Sequence, residues 1–459
     1  MTISQERISA ALREATDTEE VVIGERVLGS AGELFERIFG DQRAVVVADE
    51  NTLRVAGEAV QSELARSGRL TDTFVFPGRP TLHADYQNIA TLVDWLRPRQ
   101  ANPVAVGSGT LNDIVKRSAH ECDRDYINVA TAASVDGYTA FGASITKEGF
   151  KHTMECQAPR AVLADLDVLV HAPAKMTSAG YADLLAKIPA GADWIIADVL
   201  EIEPLEPKVW SLVQEPLRDA TDRPRDLHAG ERLAMERLIE GLIMSGLAMQ
   251  AASSSRPASG AEHQFSHLWE MEGLGEQPEG DEPPLSHGFK VGLGTVSIAA
   301  LCERLLERDL TQLEIERVVR GWPSWDDVER RVRASFPADL EDRMVEQSRA
   351  KYLSADQLGQ RLQLVTERWP ELRDQVRRQL LPAEQLRDRL KEAGCPTAPD
   401  EIGLSVERFR ETYRRAQMIR SRYTVLDLLN ETALLEGCLT ELFAVSGFWG
   451  RELGDLSRR

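Results

Sequence analysis

A parallel α/β unit followed by a largely helical one is the architecture that this 459-residue sequence predicts. Three observations predict it. Short apolar, β-branched runs alternate with helix-period segments through the first third of the chain. A glycine turn, Gly107-Ser108-Gly109-Thr110, stands between an apolar run and a helical one. Beyond about residue 175 long helical periodicities take over. Strands separated by helices must be joined by crossovers, which makes the sheet parallel.

The elements follow in order. Residues 44–49 (AVVVAD) read as a strand ending in an acid, and residues 52–67 as a helix. Residues 73–76 (TFVF) form a second strand, closed by the turn Pro77-Gly78. Ile89, Leu92, Val93 and Leu96 fall at helix spacing. PVAVGSGTLNDIVKRSA reads as strand, glycine turn and helix, and YINVAT and AVLADLDVLV as further strands. Helical periods follow over 178–200, 208–221, 230–253, 290–308, 338–379 and 403–446. The acidic, Gly/Pro-rich stretch 270–286 reads as a loop. Residues 305–420 are dense in Arg and Glu, the pattern of a solvated helical face.

Composition bounds the function. Lys and Arg total 54 against 74 Asp and Glu, a formal net charge of −20. Such a chain repels nucleic-acid backbones and anionic lipid surfaces, so neither is an expected partner. No run approaches the length of a bilayer span, and the polar start MTISQERISAALREA lacks the pattern of a secretion signal. Five cysteines, an odd number without a CxxC pair, argue against a disulfide framework and for a reducing, cytoplasmic setting.

Glycines at a strand-to-helix turn let backbone N–H groups approach a phosphate, and the helix N-terminus adds partial positive charge. GSGT alone is weak evidence, since a plain tight turn uses the same residues. Asp49 at a strand end could accept hydrogen bonds from an adenosine ribose, favouring NAD over NADP, or could simply cap the next helix. His263 and His267 are four apart and share a helix face, with Glu262 beside the first. His287 and Asp183 complete a set of imidazoles and carboxylate able to hold a divalent cation with positions left for substrate. Gln264 stands where the acid of HExxH would be, which argues against a zinc peptidase.

GSGTLNDIVK, ATAASVDGYTAFGASIT, SAGYADLLAK, GAEHQFSH and HGFKVGLGT occur in the order and spacing of the sn-glycerol-1-phosphate dehydrogenases. The chain most resembles their bacterial AraM-type branch, among the iron-containing alcohol dehydrogenases, glycerol dehydrogenases and 3-dehydroquinate synthases. The likeness runs from about residue 20 to 445 and includes IRSRYTVLDLLNETALLEG near the end. It implies a dehydroquinate synthase-like fold: a Rossmann-like dinucleotide-binding domain over 1–175 and an all-α metal- and substrate-binding domain over 176–459. It implies metal ligation by Asp183, His263 and His287, with zinc, nickel or iron all suited to the set. It places NAD or NADP at Gly107, Ser108, Gly109, Asp113, Thr131 and Ser134, alongside Asp49. It puts His267 and Asp136 at the substrate. His267, or a water that it orients, is the expected proton relay, because imidazole titrates near neutral pH. The implied reaction is the interconversion of dihydroxyacetone phosphate and sn-glycerol 1-phosphate by hydride transfer at C2.

A dianionic substrate on a chain of charge −20 needs local cations. Lys187, one turn beyond Asp183, ranks first, before Arg256, Lys290, Arg420 and Arg422. Ala132-Ala133-Ser134 replaces an expected proline-containing loop, Ala182 replaces a common Gly, and the segment 305–400 is longer and richer in Arg than expected. The rival readings are a glycerol or other polyol dehydrogenase on the same scaffold, which needs no phosphate pocket, and a non-catalytic helical binding platform, which needs no metal ligands. A homodimer is the expected assembly.

Overall fold

Six strands form one parallel sheet in the computed structural model, which describes residues 3–79, 81–147, 150–275 and 284–456. In chain order they are β1 (Glu20–Gly24), β2 (Ala44–Asp49), β3 (Leu70–Phe76), β4 (Asn102–Gly107), β5 (Ile127–Ala130) and, after a hairpin of β6 (Ala143–Lys147) and β7 (Phe150–Met154), β8 (Ala161–Asp165). Their spatial order is β1-β8-β5-β4-β2-β3. The apolar runs read from the sequence are β2 to β5 and β8. β1 went unread because EVVIG is short and follows an acidic stretch. The hairpin went unread because Lys and Glu interrupt its alternation.

The sheet has a switch point between β2 and β4. After β2 the chain turns toward β3; after β4 it turns the other way, toward β5. The following helices lie on opposite faces. Helix Glu58–Arg66 packs Val60 and Leu64 against Val46, whereas helix Gly109–Glu121 packs Leu111, Ile114 and Val115 against Val45 and Val47. A crevice opens between strand ends at such a point, where open α/β sheets bind ligands. Val47 pairs with Ala105 across β2 and β4, and two residues further along each strand stand Asp49 and Gly107.

From Ala174 onward the described residues outside turns and short extended links are helical. The period 178–200 is two helices, Ala174–Leu185 and Lys187–Val199, and the period 338–379 is also two, Ala338–Arg349 and Ala355–Gln379. The period 403–446 contains a break. After helix Val406–Arg415 and the turn Ala416–Ile419 the backbone is extended at Arg420, and helix Val425–Glu431 begins only after Thr424. Thr424 and Asp427 close a capping box, which fixes that restart. Of the stretch read as a loop, residues up to Met271 finish a helix, and 276–283 lie outside the described residues. The largest apolar cluster joins the helices to Ala130, Val162 and Ala164 of the sheet, so helices and sheet share one core. Helices 325–335, 338–349 and 355–379 carry exposed pairs such as Arg333 with Glu329 and Asp342, as a solvated face should. All five cysteines are free thiols, four of them buried. Among the described residues no helix is long and apolar enough to cross a membrane.

Candidate metal and cofactor site

Three helices bring Asp183, His263 and His287 together. Ligand atoms of the three lie within 4.8 Å of one another. Close backbone approach makes this possible. A Cβ on Gly180 would lie 2.0 Å from the Ala133 carbonyl oxygen, and one on Gly288 would lie 2.0 Å from that of Ala179. The loop after β5, helix Ala174–Leu185 and helix His287–Leu306 therefore stack backbone on backbone beside the ligands. Ser286 caps the last of these by accepting the Phe289 N–H, which starts the helix at His287.

Each imidazole is oriented from behind. Nδ1 of His263 lies 2.7 Å from Glu262 Oε1, and Nδ1 of His287 lies 2.8 Å from Glu270 Oε1. Both carboxylates are buried. Paired this way, each Nδ1 carries the proton and each Nε2 keeps its lone pair for a cation. The donor set and this backing fit a divalent metal. Beneath Glu262, burial and the Glu262 charge push the Asp193 carboxyl up to about 7. Asp193 also accepts the N–H groups of Ala261 and Val425, tying the start of the His263 helix to the C-terminal segment.

Asp183 is fully buried. Burial opposes its ionisation, but the Lys187 ammonium beside it outweighs that and holds the carboxyl well below the usual range. Lys187, also fully buried, lies 2.8 Å from Asp183 Oδ1 and 2.8 Å from Asp136 Oδ2. Lys187, expected at the substrate phosphate, thus stands between Asp183 and Asp136. Its ammonium is spent between two carboxylates, because a buried cation persists only when paired. Asp136 receives a second bond from Ser245 on Oδ2, at 3.0 Å, and its own N–H donates to Asp183 Oδ2. Asp136 Oδ1 takes no bond from any described residue.

His267 lies in the same cluster, its ring stacked on His287 with centroids 5.8 Å apart and 21° between planes. Its Nδ1 is buried without a hydrogen-bond partner. Burial and the nearby Arg420 charge hold its pKa well below the ordinary imidazole range. The expected reason for choosing His267, titration near neutral pH, is therefore replaced: it is a neutral imidazole with one open nitrogen.

Of the other cations considered, Arg256 is occupied by the carbonyls of Tyr423 and Asp193, and Arg422 by Ser259 and Ser255. Lys290 is buried, 4.0 Å from Glu270. Arg420 differs: its side chain makes no hydrogen bond or ion pair with any described residue. It leaves the turn that packs on the His263 helix, with His267, Glu270 and Arg343 close enough to act on it electrostatically.

On the sheet side, Ser108 precedes helix Gly109–Glu121 without capping it through its side chain, so the first N–H groups face outward unclaimed by it. A Cβ on Gly109 would lie 2.5 Å from Val135 Cγ1, so the turn lies against the loop that carries Asp136. Thr131 is buried, its N–H donating to the Gly107 carbonyl at 3.2 Å. Ser134 Oγ pairs with the Tyr138 hydroxyl. Asp113 Oδ2 accepts the Ser144 N–H and so holds the start of β6. Asp49 Oδ1 accepts the N–H groups of Asn51 and Thr52 at 2.7 and 2.9 Å, so the helix-cap alternative is realised, with both bonds on one oxygen. The sequence reading missed Glu270 and Ser245. Glu270 lies seven residues past His263, two turns along the same helix face, which was the available signal.

A family model for iron-containing alcohol dehydrogenases matches residues 22–173. The glycerol-1-phosphate dehydrogenase [NAD(P)+] of Bacillus subtilis is 32% identical over 421 residues, 91% of this chain and 92% of that protein. The Bacillus licheniformis protein of the same name is 30% identical, covering 94% of this chain and 93% of its own. The solved glycerol dehydrogenase of Schizosaccharomyces pombe shares the fold, with a TM-score of 0.58 at 16% identity over 94% of this chain and 91% of that one. The glycines, the DGYT loop and the Asp-His-His cluster thus sit in a scaffold common to these proteins, and the chain belongs to the glycerol-1-phosphate dehydrogenase family.

Proposed function

We propose that the chain interconverts dihydroxyacetone phosphate and sn-glycerol 1-phosphate in the cleft between the Gly107–Gly109 turn and the Asp183/His263/His287 cluster. The observation that carries this reading is the cluster itself, with a buried glutamate behind each imidazole. When bound, a divalent cation there supplies Lewis acidity at the C2 oxygen, and a nicotinamide cofactor supplies or takes the hydride.

The chain's own groups do the rest. Asp183, His263 and His287 form the ligand set; zinc, nickel and ferrous iron all suit it. Gly107, Ser108 and Gly109 offer backbone N–H groups to the cofactor pyrophosphate, and Thr131 and Ser134 shape the adjoining wall. Asp49, with its second oxygen open, accepts the ribose hydroxyls and favours NAD over NADP. Asp136, pinned through Oδ2, presents Oδ1 to a substrate hydroxyl. His267, or a water that it orients, relays the proton between the C2 oxygen and solvent, a role open to a neutral imidazole. Arg420, whose side chain is bonded to no described residue, takes the substrate phosphate in place of Lys187. The division into a cofactor-binding part, 1–175, and a metal-binding part, 176–459, belongs to the same proposal, as do a homodimeric assembly and a cytoplasmic location.

The test is oxidation of sn-glycerol 1-phosphate, sn-glycerol 3-phosphate and glycerol by the metal-loaded protein, with NAD and with NADP. Selective turnover of the 1-phosphate is expected. Glycerol oxidised as efficiently as the phosphate ester would overturn the phosphate assignment and leave a polyol dehydrogenase.

A further inference from the structure

Lys116 is fully buried on the helix that starts at the glycine turn, and its ammonium touches neither the metal cluster nor the turn. Nζ lies 2.9 Å from the Gly137 carbonyl, 2.7 Å from that of Ala140 and 3.0 Å from that of Gly142. An ammonium has three N–H donors, and all three are satisfied. The nearest carboxylate, Asp113, stands at 3.7 Å, beyond hydrogen-bond reach, with its other oxygen given to Ser144. The cation is therefore coordinated by backbone carbonyl dipoles of one turn. Rings of carbonyls at such distances are how proteins coordinate potassium or ammonium in place of their water.

That turn is the one the reaction depends on. It begins directly after Asp136, whose N–H donates to Asp183. Asn112, one helical turn before Lys116, donates to the same Gly137 carbonyl at 3.2 Å. On its other side, Thr139 is bonded to the Ile243 carbonyl and to Gln250 of helix Arg232–Ala252. Without a cation, three inward carbonyls would crowd one buried point with their negative ends together, and the turn would open.

We propose that Lys116 is a positioning residue, its ammonium occupying a monovalent-cation cradle formed by Gly137, Ala140 and Gly142, which references the Asp136 loop to the helix that carries the cofactor turn. The lysine is a tethered cation in a site that a free ammonium or potassium ion also fits. The inference deepens the catalytic reading above, and its test stays separable from it because the wild-type enzyme and its bound metal are measured in the same series.

The test compares the wild type, Lys116→Ala and Lys116→Met in sodium, potassium and ammonium chloride at equal ionic strength. Initial rates, bound divalent metal and melting temperature are read for each. The wild type should be indifferent to the cation. Lys116→Ala, which vacates the cradle, should lose at least about tenfold in kcat/KM in sodium, since displacements of about 1 Å can cost a hundredfold. It should regain most of that loss in ammonium or potassium while keeping its divalent metal. Lys116→Met fills the space with apolar atoms, so its loss should resist every cation. A lysine that mattered only for its packing gives the opposite order, Met better than Ala and no cation effect, and that result overturns the proposal. Should Lys116→Ala not remain folded in sodium, its folded yield and melting temperature in ammonium against sodium become the readout, and equal failure in both also overturns it. A wild type without any turnover would sink the catalytic reading alone, since the cation dependence of melting in Lys116→Ala would still be read.

Discussion

The two halves of the proposed cleft are built by different means. The turn at Gly107–Gly109 offers backbone groups on a partly exposed helix start, with few side chains involved. The metal cluster is the reverse: buried carboxylates and imidazoles, each held by another side chain. Charge stays near neutral on the first side and is concentrated on the second. A backbone site tolerates changes that leave the main chain in place, whereas each charge in a buried network leaves an unpaired partner when removed. Substitutions should therefore cost most at the cluster and least at the crevice.

The largest effect is expected for His263→Ala. Losing one of three protein ligands should empty the metal site and remove several kcal/mol of transition-state stabilisation, a fall of about a thousandfold or more in kcat/KM. Metal analysis beside initial rates checks it, and retained stoichiometry would break the ligand assignment.

Lys187→Met comes next and acts on stability. It leaves Asp183 and Asp136 facing each other in the interior without their shared cation. A destabilisation of about 3–5 kcal/mol is expected by denaturant unfolding of the metal-free protein. An unchanged midpoint would mean that the pair is hydrated and that Lys187 is available to substrate after all.

Glu270→Gln sharpens the contrast at intermediate scale. The amide keeps the shape but removes the charge behind His287. Metal affinity should fall about 10- to 100-fold in a chelator competition, with little change in folding. Gly109→Ala is its counterpart across the cleft. The added methyl meets Val135 at 2.5 Å, so cofactor binding should weaken by about 1–3 kcal/mol while metal affinity holds.

The same contrast explains what was legible in the sequence. The sheet could be read because β2, β4, β5 and β8 are buried on both faces and so appear as unbroken apolar runs. The convergence of Asp183, His263 and His287 could be read because residue types suited to a cation are few and their spacing is family-like. Pairings formed across the chain had no local signature. Lys187 followed the i+4 rule to the correct helix face, yet nothing in the sequence showed Asp136, 51 residues upstream by its number, waiting to share it. Arg420 was one of several cations considered, but it lay in a segment read as continuous helix, and what sets it apart is the extended break before Thr424. Lys116 looked like one more helix lysine, because the three carbonyls that hold it belong to a turn more than twenty residues away.

The smallest effect belongs to Asp49, and the choice of substitution decides what it measures. The carboxylate caps the chain after β2 through Oδ1, so replacement by Gly or Ala would mix a lost cap, worth about 1 kcal/mol for Ala, with any change in cofactor choice. Asparagine caps a helix about as well as aspartate, so Asp49→Asn removes the charge and keeps the local fold. At the solvated mouth of the crevice one unit charge acting on a 2′-phosphate is worth about 1 kcal/mol, or roughly fivefold. The ratio of kcat/KM for NADPH over NADH should rise by about that factor, with the melting temperature unchanged. A wild type that already prefers NADPH, or a ratio unmoved by Asp49→Asn, would place the ribose away from β2 and leave Asp49 as a cap alone.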